Sequence, residues 1–247
     1  MKAPTMKDET KELAGKVAVV SGGSGAIGRA ILQAFEQAGA RAVSLDLSDP
    51  GDKRGWVKCD VREESSVIGA VQSVYKTEGR LDFVVYAAGI SRDSVIWKMS
   101  AEDWDSVQAV NLRGAFLLLR HSIPLLRHGT GGRIALIGSI NGSRGKFGTS
   151  AYSASKAGLI GLAKSVAREV GRFGILVNVV EPGWVRTPLT EVVPQAVKEA
   201  ALAESLVGTF LEPANVAASV LFLCGPGATH ITGQVLRVDG GQYLGGT

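Results

Sequence analysis

The most constraining feature lies near the start of the chain. An apolar run, Lys16–Ser21 (KVAVVS), leads directly into Ser21-Gly22-Gly23-Ser24-Gly25-Ala26-Ile27-Gly28, and a helical pattern follows from Ala26 to Gly39. A strand that passes through a glycine-rich turn into a helix leaves the helix's first N–H groups and positive dipole end free to face an anion. Glycine allows both the sharp turn and a close approach of backbone to ligand. A tight turn without a ligand is the plainer alternative, but the strand–turn–helix setting favours nucleotide binding.

The same alternation repeats along the chain. Strands are expected at Arg41–Asp46, Trp56–Asp60, Leu81–Tyr86, Arg133–Gly138, Ile175–Glu181 and Gln234–Val238. Helices are expected at Glu63–Glu78, Ala101–His121, Tyr152–Gly171 and Pro213–Cys224. The strands are apolar on both faces, as parallel strands are when helices cover each side. The pattern predicts an α/β fold: a single-domain, Rossmann-type doubly wound parallel sheet with helices on both faces, spanning residues 13–247. Residues 1–12 read as a flexible, solvated tail in which Lys2, Lys7 and Lys11 interleave with Asp8, Glu9 and Glu12. Pro188–Glu212 is loosely helical and apolar (Val192, Val193, Leu202, Leu206, Val207, Phe210). It is a candidate substrate lid, a plain surface helix pair being the alternative.

Composition removes other classes. With 45% hydrophobic and 20% charged residues, the chain is neither disordered nor fibrous. A net charge of +4 is too small and dispersed for a nucleic-acid partner. No run reaches the roughly 18 apolar residues of a membrane span, and no signal peptide is evident. Cys59 and Cys224 stand far apart in apolar settings and read as buried thiols of a reducing compartment. A soluble, cytoplasmic protein without a metal site is expected.

Asp46 ends the second strand, 18 residues beyond Gly28. A carboxylate there accepts hydrogen bonds from ribose hydroxyls and repels a 2′-phosphate, and no basic residue stands immediately before Ala26 or after Asp46. This points to NAD(H). A capping or solvated Asp is the plainer reading. Tyr152 and Lys156 lie four apart at a predicted helix start, so both emerge on one face. A cation beside a phenol lowers its pKa, which would suit proton exchange with an alcohol or ketone. The pair alone recurs by chance. Ser139 sits just past the strand Arg133–Gly138, at the carboxyl edge where ligands collect, although a turn Ser is common there. Asn111 is the polar member of an otherwise apolar helical face (Val107, Gly114, Leu118), so it is either structurally satisfied or a site anchor.

From about Leu13 to Gly241 the chain resembles the short-chain dehydrogenase/reductase family. The family's glycine motif matches Ser21–Gly28, and its adenine contact matches Asp60-Val61. Its tetrad matches Asn111, Ser139, Tyr152 and Lys156, with the Ser-to-Tyr spacing of 13. Pro182, Gly183 and Thr187 match its motif after the sixth strand, and Ile231-Thr232-Gly233-Gln234 and Val238-Asp239-Gly240-Gly241 match its C-terminal signature.

The resemblance implies roles. Tyr152 would be the proton donor in reduction and base in oxidation, and Lys156 would bind the nicotinamide ribose and lower the Tyr152 pKa. Ser139 would polarise the carbonyl, and Asn111 would hold a water in a proton relay. Ala88 and Gly89 would allow close approach to the cofactor, while Thr187 and the Val185 backbone would contact the carboxamide. A homotetramer joined through the long helices is implied too. The chain departs from the pattern at Ala26, where a glycine is usual, and at Tyr86-Ala87-Ala88-Gly89, which replaces Asn-Asn-Ala-Gly and removes the amides' polar stabilisation.

Ile90-Ser91-Arg92-Asp93, Trp97-Lys98-Met99-Ser100, Asp103-Trp104-Asp105 and Val110-Asn111-Leu112 look most like 3-oxoacyl-thioester reductases. That subgroup acts on substrates linked to acyl-carrier protein or CoA and prefers NADPH, which Asp46 opposes here. The expected reaction is therefore NAD(H)-linked interconversion of 3-hydroxyacyl and 3-oxoacyl thioesters. An NAD-dependent dehydrogenase of a sugar, steroid or cyclic alcohol is the alternative, with Trp97 and Trp184 as pocket walls. A non-catalytic NAD(H)-binding regulator is the remote one, and loss of Tyr152 or Lys156 would have marked it.

Overall fold

The computed structural model describes residues 12–49, 51, 55–129 and 131–245. Most of the polar tail read at residues 1–12 thus lies outside the described residues. Seven strands, β1 (Val17–Ser21), β2 (Arg41–Asp46), β3 (Gly55–Lys58), β4 (Phe83–Tyr86), β5 (Arg133–Ile137), β6 (Leu176–Pro182) and β7 (Val235–Val238), form one sheet. Its order is β3-β2-β1-β4-β5-β6-β7, and every pair is parallel. The chain reverses its direction of winding between β1 and β4, which opens a crevice beyond their carboxyl ends.

Alternation within each strand divides the core. Val17 and Val19 of β1 point to one face and Ala18 and Val20 to the other, all buried. The first face is covered by α2 (Glu64–Glu78) and by two further helices described below, through Val67, Val71, Leu118, Leu159 and Val166. The second is covered by α1 (Ala26–Gln37) and by a helix at Pro213–Cys224, through Ile31, Leu32, Phe35, Val216 and Val220. Phe35 stacks on Phe83 there at 5.3 Å between ring centroids.

The element boundaries depart from the sequence expectations in informative places. The third strand closes at Lys58, not Asp60, because it is the sheet's edge and Cys59 leaves the ladder after its N–H reaches Asp46 O at 2.9 Å. The helix expected at Ala101–His121 is a rod in three parts: α3 (Ala101–Gln108), a π turn (Ala109–Arg113) and α4 (Gly114–Leu126). Pro124 lies inside the last turn of α4, where its missing N–H forgoes only the bond to the carbonyl of Arg120 one turn back. A short helix, α5 (Ile140–Arg144), was not expected; α6 (Ser150–Val170) then starts two residues ahead of Tyr152. Residues 188–212 hold α7 (Pro188–Glu191) and α8 (Gln195–Ala203), and α9 (Pro213–Cys224) begins with a reciprocal Glu212–Asn215 cap. Cys59 and Cys224 are buried free thiols.

Candidate active site

The glycine-rich turn is shaped by contacts that only hydrogen side chains permit. Gly22 has φ of +70°, and a Cβ on it would lie 2.6 Å from Ala88 N. A Cβ on Gly28 would lie 2.1 Å from Gly22 O, so α1 can press against the turn. Gly25 caps α1 without any side-chain hydrogen bond, and no acidic residue stands in the first turn. Free N–H groups and an unopposed dipole end fit a dinucleotide's pyrophosphate.

The turn is tied to the end of β2. Ser24 N–H donates to Asp46 Oδ2 at 2.9 Å, and Ser24 Oγ donates to Ser48 O at 2.6 Å. Ser21 is fully buried, and Ile27 packs against the second-face core. Arg62 grips Asp60 with two short hydrogen bonds, 2.9 and 2.6 Å, which hold its carboxyl below the usual range. Val61 is buried beside it. One expectation is corrected here: basic groups do stand near Asp46, though not next to it in sequence. Lys58 is its in-register neighbour on β3, and Arg29 Nε donates to Ser24 O at 2.9 Å.

Four predicted catalytic side chains come together beyond β4 and β5. Ser139 caps α5, its Oγ accepting from Asn141 N–H at 3.2 Å, and its hydroxyl stands near enough to the Tyr152 phenol to favour the phenolate. Lys156 is buried one turn beyond Tyr152. Its Nζ donates to Ile137 O at 2.8 Å and lies 5.6 Å from the Tyr152 ring centroid. Asn111 is fully buried in the π turn. Its Oδ1 accepts from Ile90 N–H at 2.8 Å, and its Nδ2 donates to Ile90 O and Ser155 Oγ, both at 3.0 Å.

The electrostatics differ from the sequence expectation. Burial, with a smaller push from Asp93, raises the Tyr152 pKa above its ordinary value; the nearby Ser139 hydroxyl pulls the other way without overcoming it. Burial also presses the Lys156 ammonium down to about 8. Desolvation therefore outweighs the Ser139 contact, and the phenol is a protonated donor at neutral pH.

Other predicted residues line the same edge. Gly89 lies above the quartet: a Cβ on it would sit 3.4 Å from Lys156 Nζ and 3.5 Å from Asn111 Oδ1. Pro182 ends β6, and Gly183 N–H continues the ladder to Val238 O at 3.0 Å. Val185 O accepts from Thr190 Oγ1 at 2.8 Å, while Thr187 caps α7, its N–H donating to Thr190 Oγ1 at 2.9 Å.

Several contributors were missed. Gly142 admits α5 against α6, since a Cβ there would lie 2.8 Å from the Lys156 carbonyl carbon; a glycine three residues past Ser139 was the available signal. Ser155 links Asn111 to Tyr152, its Oγ donating to Tyr152 O at 2.7 Å. Among the described residues no group of His, Cys, Asp and Glu side chains could hold a metal ion, and no helix is long and apolar enough to cross a membrane.

A parallel sheet with a glycine cradle at its switch point and a Ser–Tyr–Lys cluster at the same edge defines the class of nicotinamide-dependent oxidoreductases. Comparison with known proteins narrows this. A family model described as enoyl-(acyl carrier protein) reductase matches residues 22–242. The 3-oxoacyl-(acyl-carrier-protein) reductase of Thermotoga maritima is 36% identical over 245 residues, covering 94% of this chain and 99% of that one. Carbonyl reductase family member 4 of Danio rerio is 40% identical over 240 residues, covering 93% and 98%. The ligand-free aldohexose dehydrogenase of Thermoplasma acidophilum superposes with a TM-score of 0.90 at 30% identity, covering 96% and 97%. The chain belongs to the short-chain dehydrogenase/reductase family.

Proposed function

We propose that this protein interconverts a 3-oxoacyl and a 3-hydroxyacyl thioester, carried on acyl-carrier protein or CoA, with NAD(H) as the hydride partner. The observation that carries the chemistry is the buried Lys156, its Nζ held by Ile137 O at 2.8 Å and 5.6 Å from the Tyr152 ring centroid, with Ser139 beside the phenol. The dinucleotide would rest on Ser21 to Gly28, Asp46, Asp60, Val61, Ala88, Gly89, Pro182, Gly183, Val185 and Thr187, and it supplies or accepts the hydride.

The chain's own residues do the rest. Ser139 Oγ accepts from Asn141 N–H, which leaves its hydroxyl proton free to polarise a ketone oxygen. Tyr152, kept protonated by its surroundings, donates to that oxygen as it gains charge. Lys156 and Asn111 stand behind it to restore the proton, and in oxidation the same path runs outward.

The substrate class rests on several relatives named 3-oxoacyl reductases at 34–37% identity and on the apolar segment 188–212, which we read as the lid. The NAD(H) preference rests on Asp46. The likeness to an aldohexose dehydrogenase favours a second reading, a sugar or cyclic-alcohol dehydrogenase, in which Trp184, stacked on Phe210 at 5.4 Å, would face the ring. A cytoplasmic homotetramer is part of the proposal, and sedimentation as a monomer would contradict that part.

Turnover of acetoacetyl-CoA with NADH tests the main reading. Undetectable activity beside good turnover of an aldohexose with NAD⁺ would replace it with the second.

A further inference from the structure

Tyr86 stands at the head of the Tyr-Ala-Ala-Gly run, where the resemblance led us to expect lost polar stabilisation. It ends β4, paired in register with Ser21 and Leu136, and its side chain is fully buried. Its hydroxyl does not touch the cofactor edge. It crosses to the π turn and donates to the carbonyl of Val110, the residue before Asn111.

A π turn departs from the regular helical ladder, and such insertions cluster at functional sites. The part-buried Val110 carbonyl beside that departure receives a donor from the sheet, the Tyr86 hydroxyl. Gly114 leaves the space: a Cβ on it would lie 2.3 Å from the Tyr86 hydroxyl oxygen. The Asn111 amide is in turn clamped by Ile90 and Ser155, and Ser155 by Tyr152. Burial raises the Tyr86 phenol far above its ordinary pKa, so it remains a donor at any working pH.

We propose that Tyr86 is a positioning residue for the reaction: by holding the Val110 carbonyl it fixes the π turn and so the seat of Asn111 in the proton path. This rests on the role given to Asn111 above. It assigns this chain's Tyr86 a task that the surrounding Tyr152, Lys156 and Ser139 do not perform.

Tyr86→Phe keeps the ring in the core and removes only the hydroxyl. With acetoacetyl-CoA and NADH, or the aldohexose pair if that is what turns over, kcat should fall about five- to twenty-fold while KM for the dinucleotide stays within about two-fold. In an Asn111→Ala background the same change should lower kcat by less than about two-fold, since contacting residues couple. The Ile90 amide, which bonds to Asn111 Oδ1, should exchange about ten-fold faster in Tyr86→Phe, while amides within α6 keep their protection. Gly114→Ala, which presses on the same hydroxyl from the other side, should reproduce the pattern if Tyr86→Phe folds poorly.

Equal kcat losses in both backgrounds, or unchanged Ile90 exchange, would overturn the proposal while leaving the reading of the site intact. Wild-type kcat in Asn111→Ala would overturn both.

Discussion

The catalytic quartet and residues 188–212 occupy the same edge of the sheet, yet they are held in opposite ways. Lys156, Ser139 and Asn111 are buried; Lys156 and Asn111 are fixed by partners on other elements, and Ser139 by the helix it caps. In the apolar segment Val192, Leu206 and Val207 are 83%, 68% and 68% exposed. Its C-terminal end is tied by Leu211, which exchanges backbone hydrogen bonds with Trp184 and Arg186, and its middle by a small polar knot. Glu204 accepts from Arg144 of α5 at 2.7 Å and from Gln242 at 3.0 Å, and Gln242 accepts from Trp184 N–H at 2.8 Å. Leu206 leans on Gly241, which has φ of +80° and no room for a side chain. Rigid, buried supports suit a group whose position sets a rate, whereas loosely held segments can open to admit a substrate.

That contrast can be broken or sharpened by substitution. Tyr152→Phe should lower kcat by about two to four orders of magnitude with KM changed only a few-fold, as measured by steady-state kinetics. A small loss would erase the difference between the two regions.

Lys156 gives the next largest effect, read as stability. Its folded pKa of about 8 lies below the ordinary value of 10.5, so between these the unfolded chain binds the extra proton. The buried charge destabilises the protein fully below pH 8, and stability rises with pH through that window by up to about 3 kcal/mol. Denaturant unfolding of Lys156→Met should lack this rise relative to the parent. Identical slopes would place the ammonium in water.

Asp46→Ser should lower kcat/KM with NAD(H) about ten-fold and improve it with NADP(H), Lys58 being its in-register neighbour. Equal use of both dinucleotides by the parent would remove the carboxylate's role. Smallest, Glu204→Gln should raise KM for the acyl substrate about two- to five-fold and leave kcat unchanged, because it loosens the segment and not the quartet.

The fold and most of the site were legible because their signals are local. Strands apolar on both faces, a glycine turn before a helix, and Ser139, Tyr152 and Lys156 at fixed spacing are written in side chains. What escaped depends on backbone meeting side chain across the sheet. The Ile137 carbonyl that holds Lys156 has no identity in sequence, and nothing in Ala109–Arg113 announces five-residue hydrogen bonding. Lys58 reaches the neighbourhood of Asp46 only through strand register. The rise in the Tyr152 pKa escapes the sequence for a related reason: spacing places a cation nearby, but only the packed structure shows how strongly the phenol is desolvated.

A crystal structure of the dead-end complex with NAD⁺ and a 3-oxoacyl-CoA reaches the centre of the matter, since neither partner can give a hydride. The ketone oxygen should lie within about 3 Å of both the Tyr152 and Ser139 hydroxyls. A ketone bound by other groups, with the Tyr152 hydroxyl out of hydrogen-bond reach, would contradict the mechanism.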